Sequence, residues 1–197
     1  MEIVNTFVVV EESLYSVLFD SEMGVLDENG DKIPDIELHE FSRLFNFWKD
    51  PVRLRTFFET NEADLNEEFW EGITIDEAIK KTRKEAKRLK SIILEYAESG
   101  KTPRQNNLST LFKPLVDGKI EKDLEKDKAR VEGHKTWLRI YAIRVDVNLF
   151  IICGGAIKLR KTLNDREYLL KELDKLEITQ KLLKDEDSDI LDIYELY

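Results

Sequence analysis

Cysteine and histidine are scarce in this chain of 197 residues. Cys153 is the single cysteine, so no disulfide bond can form within the chain, which favours a reducing compartment. The two histidines, His39 and His134, lie far apart, so the ligand spacing of a structural zinc site is absent. We therefore expect neither a metal site nor a disulfide framework.

Long hydrophobic runs are also missing. No apolar stretch approaches the roughly 20 residues that a membrane helix needs, and no signal peptide precedes the first predicted strand. Nothing after the glycine pair Gly154-Gly155 fits a phosphate-binding loop or a dinucleotide-binding fingerprint. These absences predict a cytoplasmic protein without membrane contact or cofactor, and the length suits one domain with a substantial core.

The charge is unevenly distributed along the chain. The net charge of −10 argues by itself against nucleic-acid binding. Residues 101–161, however, carry 14 basic and 7 acidic side chains, whereas residues 1–100 carry 12 and 23, and residues 162–197 carry 5 and 11. The positive charge is therefore concentrated in one part of an acidic chain, although the lysines of residues 119–135 are typical of a solvated surface.

Residues 137–161 give the clearest structural signal. Two runs rich in β-branched and aromatic residues flank the polar turn Asp146-Val147-Asn148. Their sparse charges predict two central strands of a sheet, covered on at least one face. Apart from Asp146, every charged residue of this stretch is basic: Arg139, Arg144, Lys158, Arg160 and Lys161. A buried hairpin with cationic edges indicates a binding site for an anion.

The rest of the chain alternates between clear and ambiguous segments. Apolar runs over residues 3–10 and 14–19 predict either the two strands of a hairpin or one long bent strand. The basic run at residues 80–90 could contact a nucleic acid, but a solvated helix face is the simpler interpretation. Residues 117–136 leave a helix and an irregular hairpin equally open. Apolar periodicity and capping signals predict helices over residues 36–48, 51–61, 74–99 and 164–184, and an acidic tail follows.

Three short motifs carry a resemblance to a known family. Lys113-Pro114-Leu115 precedes a strand containing Leu138-Arg139-Ile140, and a later strand leads into Lys158-Leu159-Arg160-Lys161-Thr162 before the last helix. In this order of elements, residues 108–183 resemble the RelE/ParE toxin superfamily, specifically its HigB-like, phage-derived branch. The first hundred residues resemble it only as a strand followed by helices, and they are longer and more acidic than is usual in that family.

The resemblance implies an α+β fold in which helices pack on a small, twisted, mostly antiparallel sheet. The whole chain, residues 1–197, would then be a single RelE/ParE-like domain. Within it, a helical insertion would occupy about residues 36–100 and a basic β-hairpin core residues 108–161. The C-terminal helix would cover residues 164–184, with the acidic tail after it.

Many members of that superfamily are toxins of type II toxin–antitoxin systems that cut mRNA on the ribosome without a metal. Cleavage by the RNA's own 2′-hydroxyl needs stabilised charge on the phosphate and two proton transfers, for which Arg, Lys and Tyr suffice. The resemblance thus implies an endoribonuclease whose candidate catalytic residues are Arg139, Tyr141, Arg144 and Lys158. It implies further RNA contacts by Lys113, His134, Arg160 and Lys161.

The expected geometry divides these candidates. Tyr141 shares one face of the strand with Arg139 and is expected to stack on a base or to move a proton at a lowered pKa. Arg144 falls on the other face if the strand is regular. Arg139 could equally be a sheet-surface residue paired with an acid of a helix. If residues 119–135 cover Arg139 and Tyr141, catalysis is not expected, whereas a groove shared with Lys158 or Lys161 favours it.

The expected partners are an antitoxin protein, RNA and the ribosome. Two alternatives stay open. The chain could be a non-catalytic module of the same fold that binds a protein partner, which the net charge of −10 favours. It could also be a ParE-like toxin that inhibits gyrase, which would share the fold without the nuclease residues.

Overall fold

A mixed β-sheet lies at the centre of the fold. The computed structural model describes residues 1–20, 38–66, 68–70, 72–115, 125–130, 136–160 and 166–184. Within these residues, six strands lie in the order β1-β2-β6-β5-β4-β3. Their bounds are Ile3–Val10 (β1), Leu14–Phe19 (β2), Lys113–Pro114 (β3), Glu125–Ala129 (β4), Leu138–Asp146 (β5) and Leu149–Ile157 (β6).

Only one pair of neighbouring strands in this sheet is parallel, namely β2 and β6. The other four pairs are antiparallel. The prediction of an α+β fold with a mostly antiparallel sheet is therefore confirmed. The predicted turn is also confirmed, because Val147 and Asn148 connect the two central strands.

Helices cover both faces of the sheet. Their bounds are Glu40–Lys49 (α1), Pro51–Thr60 (α2), Glu62–Leu65 (α3), Ile75–Ser99 (α4), Leu108–Leu111 (α5) and Glu167–Lys184 (α6). The apolar side chains of α1, α2 and α4 share one core with one face of the central strands, and those of α6 form a second core with the other face. None of the described helices is both long and apolar enough to cross a lipid bilayer.

The helix boundaries follow the capping signals of the sequence. Asp50 accepts hydrogen bonds from the backbone N–H groups of Val52 and Arg53 at the start of α2. Thr74 and Glu77 form the predicted capping box of α4. The predicted start of the last helix, at residues 164–165, lies outside the described residues, as do the acidic tail and residues 36–37 of the first helix.

Gly100 lies directly after α4, where an added side chain would meet Asn148. Its φ is −66°, so the residue does not adopt the left-handed conformation that usually favours glycine after a helix. A Cβ at this position would lie 2.2 Å from the side-chain oxygen of Asn148. That oxygen accepts a hydrogen bond from Leu108 N, and Asn148 Nδ2 donates to Ala97 O. Asn148 thus joins the central hairpin to the end of α4.

A β-bulge interrupts the central hairpin at the glycine pair. Tyr141 lies opposite Gly154, whereas the next residue, Ala142, lies opposite Ile152, so Cys153 is the extra residue. Cys153 is fully buried, as expected for a core cysteine. The bulge shifts the register in β6 beside the strand segment that carries Arg139 and Tyr141.

Candidate functional site

A pocket of about 270 Å³ opens where β4 and β5 run side by side. Four of its six lining side chains are cationic and none is acidic. The lining residues are Leu115, Lys128, Arg130, Arg139, Tyr141 and Lys158. Such a pocket favours an anion, because each cation contributes attraction and the neighbouring backbone and Tyr141 exclude part of the solvent.

Strand register brings these side chains together. Lys128 of β4 lies directly opposite Tyr141 of β5, and Arg139 is two residues before Tyr141 and so shares its face. Arg130 follows directly after β4, on the side of Arg139. Lys158 follows β6, and its backbone N–H donates to the Trp137 carbonyl oxygen at 2.8 Å, which fixes it beside the start of β5.

Arg139 is oriented by the backbone around it. Its Nη1 donates to the carbonyl oxygens of Thr136 at 3.0 Å and Leu138 at 2.7 Å. The side chain is only partly exposed, and this burial lowers the pKa of Arg139 from its usual value. The guanidinium still stays protonated, because an arginine side chain keeps its proton throughout the physiological pH range. The structure therefore provides a fixed positive charge at the pocket wall.

Tyr141 is the most enclosed residue of the pocket. It is 1% exposed, and its hydroxyl has no hydrogen-bond partner among the residues that the structure describes. Burial raises the pKa of Tyr141 well above its usual range, and Arg139 offsets only part of that rise. The expectation of a lowered pKa is therefore wrong in direction: Tyr141 is suited to donate a hydrogen bond or a proton, not to act as a base. Its buried ring is also not available for stacking on a base.

Lys113 and Arg144 are two sequence candidates that do not line the pocket. Lys113 lies near it, and Arg144 lies on the other face of the sheet. Lys113 of β3 is exposed and lies opposite Lys128, one strand further from the pocket. Arg144 lies opposite Phe150, which belongs to the core shared with α1 and α4. Arg144 thus points to the face opposite Arg139, as strand alternation predicts, and the structure does not bring the two arginines into one site.

Arg160 contacts an acid instead of facing the pocket. Arg160 Nε donates to Asp64 Oδ1 at 2.8 Å, and Arg166 Nε donates to Oδ2 of the same carboxylate at 2.7 Å. Asp64 is 1% exposed. The hydrogen bond from Arg166, and then that from Arg160, lowers the pKa of Asp64. The structure thus places Arg160 in an ion pair that ties the end of the hairpin to α3, and not in the lining of the pocket.

The last two candidates, His134 and Lys161, lie outside the described residues. The described part of residues 119–135 is β4 with the residue after it, and it forms one wall of the pocket. Tyr141 is covered, yet the pocket is shared with Lys158. The condition that disfavours catalysis, coverage by residues 119–135, and the condition that favours it, a groove shared with Lys158, are therefore both partly met.

Lys128 and Arg130 are functional candidates that the sequence did not single out. Their segment lacks the apolar alternation of a strand, so its lysines were interpreted as an ordinary solvated surface. The available signal was the excess of basic residues just before Arg139. It becomes meaningful only once β4 is known to pair with β5.

Three buried charged side chains and the partly exposed Arg43 form a group behind the glycine pair. Lys175 Nζ donates to Glu40 Oε1 at 2.9 Å and to Glu172 Oε1 at 3.4 Å, and Arg43 Nη2 contacts Glu40 Oε2 at 2.7 Å. Glu172 Oε2 accepts from Gly155 N at 2.7 Å. Burial raises the pKa of Glu172 to about 7, although Lys175 lowers it in part. This charged group connects α1, α6 and the bulge opposite the pocket strand.

Among the residues that the structure describes, no three or more His, Cys, Asp and Glu side chains are grouped closely enough to hold a metal ion. No protein-family model, curated protein or solved structure matches this chain.

Proposed function

We propose that this chain is the toxin of a type II toxin–antitoxin pair, acting as a metal-independent endoribonuclease on mRNA in the cytoplasm. One observation carries the proposal: four cationic side chains surround a buried tyrosine hydroxyl that lacks a partner in the described part of the chain. An RNA phosphate that entered the pocket would accept from that hydroxyl and would be held by bidentate and point-charge contacts. The resemblance of residues 108–183 to HigB-like toxins supports the same reading.

The proposed reaction uses the RNA's own 2′-hydroxyl. The 2′-oxygen attacks the adjacent phosphorus and gives its proton to water, while the bond from phosphorus to the 5′-oxygen breaks. Arg139, Lys128 and Lys158 stabilise the additional negative charge on the phosphate oxygens. Tyr141 donates its proton to the departing 5′-oxygen and regains one from water. The products are a 2′,3′-cyclic phosphate and a 5′-hydroxyl, so atoms and protons balance.

Induced expression in a bacterial host tests this proposal. Growth and the integrity of cellular mRNA are followed for the wild type, for Arg139→Ala and for Arg53→Ala as a matched control on the exposed surface of α2. We expect growth arrest with cleaved mRNA from the wild type and from the control, and recovery of both with Arg139→Ala. Soluble, folded wild type that leaves growth and mRNA unaffected would contradict the proposal.

The alternatives predict different results in the same experiment. Growth arrest with intact mRNA is the outcome that a gyrase-inhibiting toxin predicts. A non-catalytic module would cause no arrest but would still bind a protein through its helical, acidic part. The proposal also includes an antitoxin, which we expect to neutralise the pocket with acidic side chains. Co-expression with the product of a neighbouring gene should then restore growth and yield a complex that purifies together.

A further inference from the structure

The solvent-facing side of α4 carries a single kind of charge over three helical turns. Between residues 78 and 90, every exposed side chain is a lysine or an arginine. We name these five residues the α4 basic face: Lys80, Arg83, Lys84, Lys87 and Arg88. From the first to the last, they extend along about 12 Å of the helix axis. None of the five forms an ion pair with a described acid.

The one acid within that stretch is already occupied. Glu85 Oε1 contacts Lys81 Nζ at 2.6 Å, and Glu85 Oε2 accepts from Thr136 Oγ1 at 2.7 Å. The Glu85 side chain is 13% exposed. Glu85 therefore forms no ion pair with any residue of the α4 basic face.

This arrangement opposes the stability of the helix. Lys80 and Lys84, and likewise Lys84 and Arg88, are four residues apart, where like charges on a helix repel each other. A helix face that only meets water more commonly mixes the two signs, as α6 does with its Glu167–Lys171 pair. Five cations on one helix face that form no ion pair with a described acid are better explained by a polyanionic ligand.

The α4 basic face is joined to the pocket through β5. Thr136 donates to Glu85 of α4, and its carbonyl oxygen accepts from Arg139, a pocket residue. The adjacent Trp137 donates through Nε1 to Thr82 Oγ1 at 3.0 Å. The middle of α4 is thus held beside the start of β5, but α4 packs on the face of the sheet opposite Arg139 and Tyr141. A ligand that reaches both the α4 basic face and the pocket must therefore pass around this end of β5.

We propose that the α4 basic face is a second RNA-binding surface, which holds the sugar–phosphate backbone of the single strand whose phosphate enters the pocket. This inference rests on the proposed function and extends it from one phosphate to a length of chain. The contacts are independent of base sequence, because they involve backbone charge. They also explain how a protein of net charge −10 retains affinity for RNA.

Binding is measured by fluorescence anisotropy with a labelled oligouridine of about 20 nucleotides. All proteins carry Arg139→Ala, so that no cleavage takes place during the titration. The test variant is Lys84→Gln/Lys87→Gln/Arg88→Gln. The control is Lys171→Gln/Lys181→Gln/Lys184→Gln, which changes three exposed lysines of α6 and alters the net charge equally.

We expect the α4 triple variant to weaken binding by roughly tenfold or more at low salt. The slope of log K against log salt concentration should become shallower by about 2, because about 0.7 counterions per contact are released from a single strand. The α6 triple variant should keep both the affinity and the slope. Circular dichroism establishes that each variant is folded, and fewer repulsive pairs in α4 should leave its melting temperature unchanged or higher.

Three outcomes would overturn the inference. The first is an equal loss of RNA affinity in both triple variants, which would depend on net charge alone, and the second is the absence of RNA binding by the folded parent. The third is an α4 triple variant that loses binding to polyglutamate but keeps binding to RNA, which would indicate an acidic protein partner. The proposed function fails separately. If cellular mRNA stays intact while RNA binding depends on the α4 basic face, the RNA-binding surface is supported and the nuclease activity is contradicted. If mRNA is cleaved and the α4 substitutions leave RNA affinity unchanged, the nuclease activity is supported and the RNA-binding surface is contradicted.

Discussion

Lys128 and Tyr141 lie directly opposite each other on neighbouring strands, and both side chains line the pocket. The lysine can reach out of the sheet, with its Nζ 3.3 Å from the Leu115 carbonyl oxygen, whereas the tyrosine is enclosed. A cation held by one hydrogen bond and an enclosed hydroxyl therefore line the same pocket. The two groups should respond differently to mutation.

Tyr141→Phe is expected to raise stability while it lowers function. The substitution removes a buried hydroxyl without a partner in the described residues, so the free energy of unfolding should rise by about 1 kcal/mol in urea denaturation. Phosphate or RNA affinity should fall about tenfold, since a hydrogen bond to a charged group is lost. A variant that is less stable than the wild type would show that the hydroxyl has a structural partner instead.

Arg160→Ala and Arg130→Ala are expected to separate structure from binding. Arg160 contacts the buried Asp64, so its loss should cost about 1–2 kcal/mol of unfolding free energy and leave RNA affinity within about twofold. Arg130 is exposed at the pocket, so its loss should weaken RNA binding and change stability by less than about 0.5 kcal/mol. Denaturant titrations and anisotropy on the same preparations give both quantities, and the reverse pattern would reassign the two arginines.

Stability should decline between about pH 4.5 and pH 7 because of Glu172. Its pKa is raised to about 7 in the folded protein, so over this range the folded state binds more protons than the unfolded state. Stability is then greatest below the unfolded pKa and is lost as the pH rises to about 7, by at most about 3 kcal/mol. Urea denaturation across this range measures the slope.

Glu172→Gln should flatten that slope, since an amide does not titrate and can still accept from Gly155 N. Asp174→Asn, an exposed change on the same helix, is the matched control and should leave the slope as it is. An unchanged slope in the Glu172 variant would assign the pH dependence to another group.

Gly155→Ala is expected to destabilise the protein by about 2 kcal/mol or more. A Cβ there would lie 2.6 Å from the Arg139 carbonyl oxygen and 2.8 Å from Leu44. Because the first contact is to backbone, the strand itself must shift, which should also lower RNA affinity at the pocket. Gly72→Ala tests the opposite case, since nothing lies within 4 Å of its added Cβ and only its φ of +69° opposes the change. Thermal melts of both variants rank the two effects.

Much of the fold follows from patterns that are local in sequence. The alternation of Arg139 and Tyr141, the Asn148 turn and the capping box at Thr74 each depend on a few neighbouring residues, and the structure retains them. The face assigned to Arg144 was likewise correct, because strand alternation continues without interruption up to that residue.

The remainder depends on contacts between distant segments. On the last helix, Leu170 is 41% exposed whereas Lys175 is buried, because Lys175 contacts Glu40, which lies 135 residues earlier in the chain. The sequence makes Arg160 a candidate RNA ligand, and only the structure reveals its ion pair with Asp64. A charged side chain that is buried by a partner about a hundred residues away leaves no local trace.

The parallel pairing of β2 with β6 has a consequence for synthesis. The nascent chain completes β2 by Phe19, but the β6 residues that pair with it, Phe150–Ile152, are added about 130 residues later. At 5–20 residues per second, this delay is on the order of 10 s. During that time the inner edge of the first hairpin is open to other chains, and the pocket does not yet exist. The pocket can therefore be completed only after residue 158 has emerged from the ribosome.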